Sequence, residues 1–199
     1  MSSTERHIQS LLRRAGTARS HELVAAGTTR SQLSRMVALG KLQRVARGLY
    51  ALPDYESGEH GALITVAKRA PGVLFCLLTA LRIHELTTQA PFEIWIAIGN
   101  KEYPPRLDHP PLRTVRFSEA ALKAGVETRR VDGTQVRVTS VAKTVADCFK
   151  FRNKIGLDVP LEALREARRA KKASADDLWR YAKIDRVTNV MRPYLEAVA

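Results

Sequence analysis

The apolar positions near the start of the chain fall at Ile8, Leu11 and Leu12, the spacing of a helix with one buried face. This predicts a first helix over residues 5–14, capped by Ser3 or Thr4 and ended by Ala15-Gly16-Thr17. A short second helix is predicted over residues 21–26, with Leu23 and Val24 apolar, Ser20 as its cap and Gly27 closing it. Thr28 or Thr29 caps a third helix over residues 30–39, whose buried face is Leu33, Met36 and Val37. Gly40 stands where a left-handed helix end favours glycine. Val45, Leu49 and Tyr50 favour strand, and Arg47-Gly48 supplies a turn between two short strands. Three helices followed by a β-hairpin, with a glycine turn between the second and third helices, is the order of a winged helix-turn-helix.

Residues 53–59, Pro-Asp-Tyr-Glu-Ser-Gly-Glu, are polar and acidic and contain Pro and Gly, so a linker is expected there. Two domains follow from this: residues 1–53 and residues 60–199. In the second, residues 60–70 read as helix, ended by Pro71-Gly72, and residues 73–86 as a buried strand end or a helix. Residues 92–98 and 114–117 read as strands. Residues 128–131 and 135–139 flank Asp132-Gly133, a hairpin signal. From Ser140 onward the pattern is helical. Val141, Ala142, Val145, Ala146 and Phe149 share one face, and Lys143 and Asp147 stand four apart on another. That pair serves either function or the solvation and capping of its helix, and the structural role is the preferred reading.

Asp158 is expected to cap a helix over residues 159–172, and Ser174 with Asp177 a shorter one carrying Leu178, Trp179 and Tyr181. The last stripe is Val187, Val190, Met191, Tyr194, Leu195 and Val198, with Pro193 expected to kink or restart the helix. The fold class is α+β: an N-terminal winged helix-turn-helix, then a mixed α/β domain ending in helices.

Charge sharpens the first domain. The chain of 199 residues has a formal net charge of +13. Nine Lys and Arg against two acids fall within residues 1–52, so about half the excess sits in the first quarter of the chain. A basic domain joined to a near-neutral one suits a polyanionic partner. In a winged helix-turn-helix the third helix enters the major groove. The residues off its buried face are Arg30, Ser31, Gln32, Ser34 and Arg35. Arginine can bond guanine bidentately, and glutamine adenine. The Thr29 and serine hydroxyls suit phosphate oxygens at the helix N-terminus. Arg44 and Arg47 are expected at the hairpin tip, against the DNA backbone or minor groove. A second basic cluster, Arg165, Arg168, Arg169, Lys171 and Lys172, is either a solvated helix face or a further surface for nucleic acid or an acidic partner.

Catalytic chemistry is not legible. No Asp or Glu has Lys two residues on, and the one carboxylate-x-carboxylate pair, Asp54 and Glu56, follows no Gly-Ser turn. There is no Gly-x-Ser-x-Gly, phosphate loop or His-Glu-x-x-His. Cys76 and Cys148 are far apart in apolar runs, and the five histidines lack metal spacing, so both thiols are expected as small buried hydrophobes. No enzyme, catalytic residue, metal or cofactor is expected. The apolar run 73–81 is too short to span a bilayer, and the polar start leads into no signal-peptide core, so a soluble, cytoplasmic protein is expected with no membrane partner.

The stretch Arg44-Val45-Ala46-Arg47-Gly48-Leu49-Tyr50-Ala51-Leu52-Pro53 resembles the end of the wing in AbiEi-type antitoxins of bacterial type IV toxin–antitoxin systems. Residues 141–152, Val-Ala-Lys-Thr-Val-Ala-Asp-Cys-Phe-Lys-Phe-Arg, are similar to a motif in that family's C-terminal domain, and residues 76–84 to its opening. Pro193-Tyr194-Leu195-Glu196 looks like the family's ending. The resemblance implies an antitoxin that represses its own operon and counters a nucleotidyltransferase-type toxin, with or without direct contact. It also implies operator DNA with inverted repeats, so that two copies meet one site. It supplies no catalytic residues. The alternative is a stand-alone winged-helix regulator whose C-terminal domain binds a small ligand or dimerises.

Overall fold

A computed structural model describes residues 3–56, 58–89 and 91–197. Val198 of the terminal stripe and Ser57 of the expected linker lie outside them. By internal contacts the chain divides into two units: residues 1–69 with 132–134, and residues 70–131 with 135–199.

The first unit contains helices α1 (Ser3–Ala15), α2 (Ser20–Ala25), α3 (Arg30–Ala38) and α4 (Gly61–Arg69), and strands β1 (Thr17–Arg19), β2 (Gln43–Ala46) and β3 (Leu49–Ala51). The strands form an antiparallel sheet in the order β1-β3-β2. Ile8 and Leu12 of α1 meet Leu23 of α2, Leu33 and Met36 of α3, and Ala18 and Leu42 in one buried cluster. The helical spacing of these residues is what brings three helices onto one core. Strand β1 was not expected; Gly16, at φ +67°, turns the chain out of α1, and Thr17–Arg19 then pair with Ala51, Tyr50 and Leu49. Ser20 does not cap α2 through its side chain: its N–H donates to the Gly48 carbonyl at 2.9 Å. The Glu22 carboxylate accepts instead from the Arg19 N–H at 2.5 Å.

The expected linker is partly tied down. The Gln43 amide donates to the carbonyls of Leu52 and Tyr55, both at 2.8 Å. Helix α4 follows that segment yet belongs to the first unit. The Lys68 ammonium donates to the Ala15 carbonyl at 3.0 Å, to the Thr17 hydroxyl at 2.8 Å and to the Thr17 carbonyl. Arg19 reaches back to the Arg69 carbonyl at 3.2 Å. Burial pulls the Lys68 ammonium below its ordinary pKa, partly offset by the Glu22 carboxylate.

The second unit carries strands β4 (Leu74–Phe75), β5 (Ile94–Gly99), β6 (Leu112–Phe117), β7 (Val126–Val131) and β8 (Thr134–Thr139). Their order is β6-β5-β4-β8-β7. Strand β4 runs antiparallel to β5 and parallel to β8, and β5 runs parallel to β6. Residues 94–98 of β5 are all buried, which is why Trp95 does not alternate outward between the isoleucines. The helices are α5 (Leu77–Ile83), α6 (Glu119–Lys123), α7 (Val141–Lys150), α8 (Arg152–Ile155), α9 (Asp158–Arg169), α10 (Ala175–Ile184) and α11 (Thr188–Ala197). The stretch 73–86 is therefore both strand and helix. Asp158 is the first helical residue of α9 rather than its cap, while Ser174 does cap α10, accepting from the Asp177 N–H at 3.0 Å. Helix α11 runs through Pro193.

Helix α7 is the centre of this unit. Every residue from Val141 to Phe149 is buried, and α5, α9, α10 and α11 pack against it. Cys76 and Cys148 lie in its core as free thiols, and burial pushes both well above the usual thiol pKa. Lys143 and Asp147 are not a solvated pair. They are 0% and 1% exposed, bonded to each other, and joined by a third residue, Asp185, after α10. The Lys143 ammonium donates to the Asp185 carboxylate oxygens at 3.2 and 3.3 Å and lies 4.6 Å from the centre of the Phe117 ring. Burial alone would lower the Lys143 pKa, but the two carboxylates outweigh it and hold it above its ordinary value. One ammonium faces two carboxylates, and burial raises the Asp147 carboxyl well above the usual range.

Candidate nucleic-acid interface

Helix α3 starts with a reciprocal cap. The Thr29 hydroxyl accepts from the Gln32 N–H at 3.2 Å, and the Gln32 side-chain oxygen accepts from the Thr29 N–H at 2.9 Å. The same oxygen accepts from the buried Thr28 hydroxyl at 3.1 Å. This satisfies backbone groups that a helix start would otherwise leave open. It also fixes what Gln32 does. Reading adenine bidentately needs its amide oxygen as an acceptor, and that oxygen is already held by Thr28 and Thr29. Gln32 positions the helix; the cap frees its neighbours to face outward.

Those neighbours are Arg30, Ser31, Ser34 and Arg35, all exposed, as are Thr29 and Gln32. Among the described residues none accepts a hydrogen bond from, or forms an ion pair with, the Arg30 or Arg35 guanidinium. The Thr29 hydroxyl, accepting from Gln32, keeps its own proton to donate. The opposite face, Leu33 and Met36, is buried in the core, so the helix cannot rotate this polar set inward without exposing the apolar one. Leu39, just past the end of α3, is 60% exposed.

The wing is the β2–β3 hairpin. Its turn is Arg47-Gly48, where Gly48 takes φ +72°, a conformation that side chains with a Cβ rarely adopt. The pairing slips between Arg44 and Ala46, which makes Val45 the extra residue of a bulge. Arg47 stands at the tip as expected. Arg44 does not: it lies within β2, the edge strand, opposite Tyr50. Both arginines are exposed.

The acids of this segment do not offset these charges. Glu5 pairs with Lys41 at 3.1 Å, and Glu22 accepts from the Arg19 backbone. Among the described residues Arg30, Arg35, Arg44 and Arg47, on the third helix and the wing, form no ion pair.

The second basic cluster is less of a unit than its sequence suggests. Helix α9 ends at Arg169, and Lys171, at φ +53°, and Lys172 lie beyond it. Lys172 donates to the His84 carbonyl at 2.6 Å and lies 3.6 Å from the Glu85 carboxylate. Arg169 pairs with Glu166 at 2.5 Å. Arg168 donates to the Ala173 carbonyl at 3.4 Å. Arg165 and Lys171 are exposed. Three of the five cations thus hold the chain's own groups. Among the described residues no three His, Cys, Asp or Glu side chains are grouped to hold a metal ion, and no helix is long and apolar enough to cross a membrane.

Residues 6–53 match the model of a family described as transcriptional regulator, AbiEi antitoxin. The match covers α1 through the wing, the segment in which the wing sequence carried the resemblance. No curated protein matches the chain. Among solved structures, the crystal structure of the RV2827C protein from Mycobacterium tuberculosis is similar over 100% of this chain and 81% of that one. The TM-score is 0.64 at 14% identity, a likeness of fold alone.

Proposed function

We propose that the protein is a repressor of its own operon and the antitoxin of a type IV pair, opposing a nucleotidyltransferase-type toxin. The observation that carries the DNA-binding half is the capped third helix, with Arg30, Ser31, Ser34 and Arg35 exposed. Arg30 and Arg35 read guanine edges in the major groove, Thr29 and the helix N-terminus hold a phosphate, and Arg47 meets the backbone beside the groove. Two copies occupy an inverted repeat. The family match over the winged helix-turn-helix supports the antitoxin half.

Co-expression with the adjacent gene tests that half. The full-length protein is expected to restore growth when that gene encodes the toxin, and Arg30→Ala/Arg35→Ala is expected to restore it too if neutralisation needs no operator. Failure of the wild type to restore growth contradicts the antitoxin reading. A stand-alone regulator whose C-terminal domain binds a ligand is favoured by one observation, a cavity of about 310 Å³ in the second unit lined by Phe117, Ala120, Lys150, Phe151 and Arg186.

A further inference from the structure

Lys143 sets one ammonium against two carboxyl groups. It donates to Asp147 Oδ1 and, at 3.2 and 3.3 Å, to both oxygens of Asp185. All three side chains are buried, Asp185 at 4% exposed, and among the described residues Lys143 is the only buried lysine or arginine. With every group ionised the cluster would hold an excess negative charge away from water, which is costly.

Asp147 sharpens the imbalance. Its Oδ2 is buried, and no N–H or O–H donor among the described residues reaches it. A buried acceptor without a donor is itself costly. Besides Lys143, the Asp185 carboxyl lies within hydrogen-bond reach of the Asp147 carboxyl. Two carboxylates cannot bond to one another, but a carboxylic acid donates to a carboxylate. Asp185 is also the C-cap of α10, where the open carbonyls of the helix end add negative potential. Burial raises the Asp147 carboxyl well above the usual range, opposed by Lys143 and reinforced by Asp185.

The surrounding elements leave this balance in place. On α7 the neighbours are Cys148 and Lys150, whose ammonium donates to the Asp185 carbonyl at 2.9 Å. Cys76 stands at the start of α5, and burial keeps both thiols protonated. From α10 comes Tyr181, whose hydroxyl accepts from Arg180 at 3.2 Å, and Arg186 beyond it is exposed. Strand β6 brings the Phe117 ring and Arg116, which is exposed and donates to the carbonyls of Gly99, Asn100 and Glu102. Helix α8 brings Arg152, on the Phe149 carbonyl at 3.0 Å, and Lys154, over the Phe151 ring. The buried side chains of α9 and α11 are apolar, and Tyr194 stacks on Phe149.

We infer that Asp147 and Asp185 share one proton in the folded protein, and that this proton is a pH-sensitive latch fastening the end of α10 to α7. With it the charges balance: one ammonium, one carboxylate, one carboxylic acid. Both aspartates are ionised in the unfolded chain at about pH 6, so folding there takes up one proton from solvent. The stability it contributes is full below about pH 4 and is lost as pH rises through the raised folded value. Above that value two carboxylates compete for one ammonium, and the end of α10 is repelled from α7. The inference is independent of the DNA-binding reading, since every residue in it lies in the second unit.

Infrared spectroscopy of the full-length protein tests it. At about pH 6, where free aspartates are ionised, wild type is expected to show the carbonyl band of a protonated carboxyl. Asp185→Asn is expected to lose that band, because its amide supplies an N–H donor to Asp147 without a titrating proton. Asp147→Asn, which leaves Asp185 paired with Lys143, is expected to lose it as well. Urea unfolding over a pH series gives a second readout. The folding equilibrium constant of wild type is expected to fall relative to that of Asp185→Asn as pH rises, approaching about tenfold per pH unit where the proton is released. No such band in wild type, a band that persists in either variant, or parallel pH profiles for wild type and Asp185→Asn would overturn the inference.

Discussion

Thr29 and Gln32 cap one another at the start of α3, each side chain accepting from the other's backbone N–H. The relationship joins stability to recognition, because the two residues that fix the helix start also set the angle at which Arg30 and Arg35 leave it. Thr29→Ala is expected to cost about 1 kcal/mol of unfolding free energy, the usual loss at a helix cap. Gln32→Glu keeps the acceptor and is expected to retain most of that stability, whereas Gln32→Leu loses it. Urea denaturation of the three variants distinguishes them. A Thr29→Ala/Gln32→Leu cycle that is strictly additive would contradict the reciprocal cap.

Removing the cation from the buried cluster should be severe. Lys143→Met leaves the Asp147 and Asp185 carboxylates close together without their ammonium, and loss of one partner of a buried pair costs about 3–5 kcal/mol. Thermal unfolding should show a large fall in midpoint. Replacing the carboxylates as well, with Asp147→Leu and Asp185→Asn alongside, should recover part of the loss. An unchanged midpoint for Lys143→Met alone would mean that the cluster carries no charge.

His84 supplies a pH dependence. Its ring is buried, Nε2 lies 2.6 Å from the Thr139 carbonyl, and Nδ1 has no partner among the described residues. Burial lowers its pKa below 6.5, reinforced by Arg129 and Lys172 and opposed by the Thr139 carbonyl and Glu127. The unfolded chain therefore takes up the proton more readily than the folded one. Stability from this residue is full above about pH 6.5 and falls as pH drops through the lowered folded value. His84→Gln, which can still donate to Thr139, is expected to flatten the loss of melting temperature between about pH 7 and pH 5. An identical pH profile in the variant would remove His84 from the explanation.

Much of the first unit was legible because its signals are local. Ile8, Leu11 and Leu12 share a helical face, glycines mark Gly27, Gly40 and Gly48, and Arg47-Gly48 sits between two apolar pairs. Strand β1 was not legible. Three residues carry no periodicity, and Thr17–Arg19 become a strand only because β3 lies beside them. The site residues divide the same way. That α3 presents Arg30 and Arg35 outward follows from the spacing of Leu33 and Met36. That Gln32 is consumed by the cap does not, because a Thr-x-x-Gln pattern reads equally as cap or as base contact.

The second unit was harder for the opposite reason. Lys143 and Asp147 have the spacing of an ordinary exposed pair, and nothing near them in sequence announces burial. Asp185, which completes the cluster, is 42 residues from Lys143. Arg168, Arg169 and Lys172 look like a free basic face until their acceptors are placed. Long-range pairing of charge leaves no local pattern to read.

Whether α3 and the wing read DNA is tested most directly by binding to a fragment of the protein's own promoter, followed by fluorescence anisotropy across a salt series. Wild-type protein is expected to bind specifically and to weaken steeply as salt rises, through release of counterions. Arg30→Ala/Arg35→Ala is expected to lose about 1–3 kcal/mol for each base contact removed, together with preference over unrelated DNA. Arg47→Ala is expected to weaken binding to all sequences alike and to flatten the salt slope. Unchanged affinity and sequence preference in Arg30→Ala/Arg35→Ala would contradict the account.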